Sequence, residues 1–338
     1  MSVTIESVDE NTDGDFAKYV EKLHQLSEGS VHKRFDPYVD IDWNSPELAV
    51  FANDERWILP ESADPLTNGD WYRSLPKEKQ IAIGMWRQAN VAKVGLQFEQ
   101  ILINGMLNYI QTLPNGSPEF RYCTHEIIEE GNHTLMFQEM VNRVGMNVPG
   151  GSPYMKAFAP LFPIAGRLMP LVFFVGVLAG EEPIDHIQKS ILRSGEEIHP
   201  IMANVMRIHV AEEARHISFA HEFLEHHIKE LNTANRLALS IAFPIVMRVL
   251  CDFIAVPPPQ FWETFDIPKS VKSELFWDHP KSQQTLRNYF ADVRMLAEKA
   301  GLMNPVSKRI WKLMGIDGKQ SRYRSEPNRA EALLLKSA

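Results

Sequence analysis

Two short patterns, Glu130-Gly-Asn-His133 and Glu213-Ala-Arg-His216, constrain this chain more than any other feature. A carboxylate and an imidazole three residues apart share one face of a helix. Each pair also has a glutamate at the same distance upstream, 31 residues from Glu99 to Glu130 and 31 from Glu182 to Glu213. Glu99 lies in an apolar stripe of Leu96, Leu102, Ile103 and Met106, and Glu182 follows Val175, Leu178 and Ala179. Two similar helical hairpins packed about a pseudo-twofold axis would bring four carboxylates and two imidazoles to one point in a bundle core. Carboxylates on apolar faces are costly unless they meet a cation, so such a core calls for metal.

The rest of the sequence supports helices. Apolar residues recur at helical spacing nearly throughout and no stretch alternates with period two for long, which predicts an all-α fold. Pro76 opens a pattern that runs to Leu113; the breakers Pro114-Asn115-Gly116-Ser117-Pro118 then start a second helix that ends at Val144 before Gly145. A connection punctuated by Pro160, Pro163 and Pro170 leads to a third helix reaching Arg193, and a fourth runs to about Leu231. One domain over 1–338 is expected, with a core bundle at about 76–231, flanking helices in 1–75 and 232–316, and a loose tail over 317–338 carrying a Leu333-Leu334-Leu335 stripe.

Two further Glu-x-x-His pairs, Glu21 to His24 and Glu196 to His199, act as internal controls. They lie near predicted helix ends without partner motifs, and solvated surface is expected for both. His209 differs from them. It precedes Glu213 by four residues and His216 by seven, and seven residues at about 100° each return to nearly the same direction. It becomes a seventh candidate ligand. Four carboxylates balance two divalent ions, and a mixed nitrogen and oxygen donor set without thiolate suits iron, with manganese as a substitute, over structural zinc. In the third helix Glu181 and Glu182 are adjacent and point about 100° apart; the equal spacing favours Glu182, and Pro183 beside it would kink the helix or start a new segment. Glu129, Glu212 and Asp185 are candidates to accept the free N–H of a ligating histidine. Gly95, Gly131 and Gly180 beside the ligands either leave room for O2 or a flat ring or serve helix packing.

This Glu, Glu-x-x-His, Glu, Glu-x-x-His series resembles the ferritin-like di-iron superfamily, and Glu212-Glu-Ala-Arg-His216 is similar to its Asp/Glu-Glu-x-Arg-His helix. With His209 and flanking helices added, the chain resembles the p-aminobenzoate N-oxygenase family, which oxidises arylamines to nitro compounds with O2. The resemblance implies a ferritin-like four-helix bundle and a ligand set of Glu99, Glu130, His133, Glu182, His209, Glu213 and His216. Asn132 departs from the superfamily, which often has Arg there. By the same resemblance, two electrons reduce a two-iron site and O2 then supplies oxygen to a substrate nitrogen.

The alternatives are hydroxylation or desaturation of an aliphatic or carrier-bound substrate, and an iron-oxidising or peroxide-scavenging ferritin relative. The roughly 180 residues outside a minimal bundle favour walls for an organic pocket. An arylcarboxylate would want an Arg, or a Tyr and Asn pair, near the pocket; Arg87, Arg121, Arg167, Arg207, Arg248 and Arg294 are the arginine candidates. No flavin, haem or iron–sulfur motif is present, so an external electron donor is expected, together with a homodimer. The 35 Lys and Arg against 43 Asp and Glu leave a net charge of −8 and no basic field for nucleic acid. Two separated cysteines fit a reducing compartment and a cytoplasmic location. The longest uninterrupted apolar run, Leu168 to Gly180, is 13 residues and holds Pro170, against roughly 20 for a membrane span; no membrane partner is expected.

Overall fold

The computed structural model describes residues 10–61 and 64–326; the Leu333-Leu334-Leu335 stripe lies outside them. The fold is all-α, and among the described residues there is no strand. Helix α1 (Glu10–His32) is followed by loops and short turns, then by α2 (Lys77–Ile110) and α3 (Pro118–Val144), a short α4 (Phe162–Leu168), then α5 (Pro170–Arg193), α6 (Pro200–Ile228) and α7 (Thr233–Ala255). Shorter helices between Pro259 and Leu313 complete the shell.

Local chemistry sets these boundaries. Pro118, Pro170 and Pro200 each occupy a first-turn position, where a missing N–H costs nothing. Gly145 ends α3 with φ 72°, the left-handed cap that glycine adopts most readily. His199, placed on the surface by the sequence reading, is instead fully buried. It stacks on Trp57 at 4.3 Å and accepts the Ile201 N–H to cap α6. His24 is solvated as expected. Pro183 starts no new segment, since α5 continues through it; it removes one intrahelical hydrogen bond next to two buried glutamates.

Helices α2 and α3 pair as one hairpin and α5 and α6 as the other, with α3 and α6 meeting at the centre. Helix α1 packs across α3 and α6, and α7 lies along α5. Where α4 crosses α2, a Cβ on Gly166 would overlap the carbonyl oxygen of Gly105, so the two backbones touch. One stretch, Thr233–Thr264, is long and apolar enough to cross a membrane by length and composition, and half of its most apolar window is buried in the fold. The described part of the tail is tied down: Ser321 donates its N–H to Ala291 and Ser325 to the Asp292 carboxylate.

Candidate metal centre

Six of the seven residues picked out by spacing meet between the two hairpins. Ligand atoms of Glu99, His133, His209 and Glu213 lie within 4.8 Å of one another, as do those of Glu130, His133, Glu213 and His216, so Glu213 and His133 belong to both groups. All six are buried. A further buried group within the same limit is Glu126, Glu130 and Glu181.

The histidines are oriented from behind, and crosswise. On α3, His133 has Nε2 3.0 Å from Glu212 of α6; on α6, His216 has Nε2 2.8 Å from Glu129 of α3. With these nitrogens engaged, the Nδ1 atoms face the cluster: that of His133 is 3.0 Å from Glu130, and that of His216 is 2.8 Å from Glu130 and 3.4 Å from Glu213. Arg215 donates to Glu129 at 2.9 Å and lies 3.6 Å from Glu212, neutralising both outer carboxylates. Asn132, at the position often held by Arg in the superfamily, donates to the Phe35 carbonyl, and the Phe35 N–H donates to Glu212. The loop after α1 thus closes the back of the site. His209 is held differently. Its Nδ1 is 2.9 Å from Gln188 Oε1, and its Nε2 points between Glu99 at 3.4 Å and Glu213 at 3.3 Å.

Two expectations need correction. Glu182 does not reach the cluster: its Oε1 lies 2.7 Å from His221 Nε2, and Glu181 occupies the central place. Equal spacing misleads because the second connection is one residue shorter while the segments between glutamate and helix end are each one residue longer. Asp185 does not orient a motif histidine either; it accepts from Lys189 at 2.6 Å. The glycines divide. Gly95 and Gly180 line a cavity beside the cluster, but a Cβ on either would come within 3.1 to 3.2 Å of Phe137 or Phe98, whereas Gly131 faces open space.

Glu126 was missed. It sits four residues before Glu130, as His209 sits four before Glu213, so the spacing that revealed His209 in one half marks Glu126 in the other.

The donor set fits cations. Both oxygens of Glu126, Glu181 and Glu213, Oε1 of Glu130 and Nδ1 of His216 are buried without a hydrogen-bond partner. His216 Nδ1 and Glu130 Oε1 lie side by side at 2.8 Å, a separation that two ligands of one ion can have. Electrostatics agrees. Burial, reinforced by neighbouring carboxylates, raises Glu99 and Glu181 well above the usual carboxylate range, and burial raises Glu126 to about 8. Burial opposes charge on Glu130 too, but His216 and His133 beside it hold it well below that range. Buried oxygens with no protein donor are stabilised by metal.

A model of the p-aminobenzoate N-oxygenase AurF family matches residues 17–301. Uncharacterized protein Mb0909 of Mycobacterium bovis and uncharacterized protein Rv0885 of Mycobacterium tuberculosis are each 60% identical over 315 residues, 93% of this chain and 92% of theirs. Uncharacterized protein MT0908 of Mycobacterium tuberculosis is 59% identical over the same length. With a match over most of its length, and buried Glu and His groups able to hold metal at the centre of its bundle, the chain belongs to the p-aminobenzoate N-oxygenase AurF family.

Proposed function

We propose that the protein is a di-iron oxygenase that uses O2 to oxidise an organic substrate, an arylamine nitrogen first among the candidates. The observation that carries this reading is the convergence of partnerless buried carboxylate and imidazole atoms beside an apolar cavity that ends on Glu99, Glu181 and His209. Glu99, Glu130, His133, Glu181, His209, Glu213 and His216 would hold two irons, with Glu126 close by. Four of the five carboxylates would balance two ferrous ions. Bound iron supplies the electron transfer to O2, with electrons drawn from an external donor.

The chain itself does the positioning. Glu129 and Glu212 fix the ring orientations of His216 and His133, and Gln188 fixes that of His209. The loop at Phe35 and the Arg215 guanidinium seal the side away from the cavity, which leaves the substrate side as the approach. Excluding water there protects reactive oxygen chemistry from side reactions. Two free, buried cysteines fit a cytoplasmic setting.

One observation favours a second reading, hydroxylation or desaturation of an aliphatic substrate: the cavity wall is almost wholly apolar. Product analysis separates the two. Anaerobic reduction followed by O2 and an arylamine panel should yield hydroxylamine, nitroso or nitro products by mass spectrometry. Oxidised alkyl products alone would support the second reading, and O2 uptake with no organic product would contradict both.

A further inference from the structure

The cavity beside the metal centre has a volume of about 300 Å3, at the lower end of small-molecule sites. Helices α2, α5 and α7 form most of its wall, α3, α4 and α6 complete it, and it ends on Glu99, Glu181 and His209. Apart from those three, the polar lining residues among the described residues are Gln88 and Gln188, and Gln188 is engaged with His209. Among the described residues no Lys, Arg, Ser, Thr, Tyr or Asn lines it.

None of the arginines that the sequence offered as anchors reaches it. Arg87 is buried but donates to Asp64 at 2.7 Å and to the Ala255 carbonyl at 2.6 Å. Arg121 pairs with Glu28, and Arg248 with Asp252 and the Met314 carbonyl. Arg294 serves the carbonyls of Arg287, Ile316 and Lys319. Arg167 and Arg207 are on the surface. The way in is apolar as well: Ile245 and Val249 line the cavity while 39% and 45% exposed, so it meets solvent beside α7.

A carboxylate brought into this space would lose its hydration and find no cationic side chain on the wall to replace it; both effects oppose binding. An uncharged apolar substituent loses nothing polar and gains from leaving water. We propose that the substrate is an uncharged arylamine carrying an apolar substituent in place of the carboxylate of p-aminobenzoate, with its amino group at the Glu99, Glu181 and His209 end. This rests on reading the cluster as the oxidation centre.

Isothermal titration calorimetry on the full-length protein as purified tests it without relying on turnover, using p-propylaniline and p-aminobenzoate as probes. The expected result is that p-propylaniline binds about 100-fold or more tightly than p-aminobenzoate. Val249→Arg, at a partly exposed mouth position that tolerates a charge, should raise p-aminobenzoate affinity about tenfold. Equal or tighter binding of p-aminobenzoate to the unaltered protein, or no binding of p-propylaniline, would overturn the proposal and leave N-oxygenation of another amine standing. Binding of p-propylaniline as expected, with no oxidised nitrogen product, would sink the N-oxygenation reading alone.

Discussion

Glu181→Ala should release about half of the bound iron, whereas Glu182→Ala should keep the full complement and lose stability instead. Glu181 has both oxygens buried, no hydrogen-bond partner and Glu126 and Glu130 for neighbours, so its removal takes a donor from one ion only. Glu182 is equally buried but committed elsewhere. Burial lifts its carboxyl well above the usual range and pushes His221 down to about 4, so the two meet as a neutral hydrogen bond in which the acid donates to the ring. Deleting the acid strands a buried imidazole, at a cost of about 1–3 kcal/mol. Iron analysis and urea unfolding of both variants check the pair of outcomes. Iron lost from Glu182→Ala and retained in Glu181→Ala would reverse the assignment.

Removing the metal should lower the melting temperature on the order of 10 °C, since an ion present at about a thousand times its dissociation constant stabilises the native state by about 4 kcal/mol. The effect has a particular origin here. The partnerless oxygens of Glu126, Glu181 and Glu213 are a standing cost of the metal-free fold, and bound ions cancel it. Glu181→Leu therefore has opposite effects in the two forms: the metal-free variant should be about 1–3 kcal/mol more stable than the metal-free parent, while the iron-loaded variant should be less stable than the loaded parent. Calorimetric melts with and without chelator measure both. Identical melting of loaded and chelated protein would mean that the cluster is not where the metal resides.

Much of this architecture was legible in the sequence because its signals are local. Prolines at helix starts and Gly145 after Val144 set the ends of the core helices to within a few residues, and the Glu-x-x-His spacing put Glu130, His133, Glu213 and His216 on inward faces without knowledge of the packing. The outer carboxylates Glu129 and Glu212 were legible as candidates, but not their crossing over, because which hairpin faces which is decided by tertiary packing. The choice between Glu181 and Glu182 failed for a related reason: spacing across a turn depends on connection length, which carries no information about helix rotation. Glu126 was within reach, since the rule that revealed His209 applies unchanged to the first half. The bare apolar cavity was not, because whether an arginine reaches a pocket or is spent on Asp64 or a helix carbonyl depends on contacts far apart in the chain.

The central claim is that one chain holds two irons between its two hairpins. Iron analysis after anaerobic reconstitution, with excess metal removed, tests it most directly. Close to two irons per chain are expected; a single ion per chain, or zinc retained in preference to iron, would contradict a two-iron site.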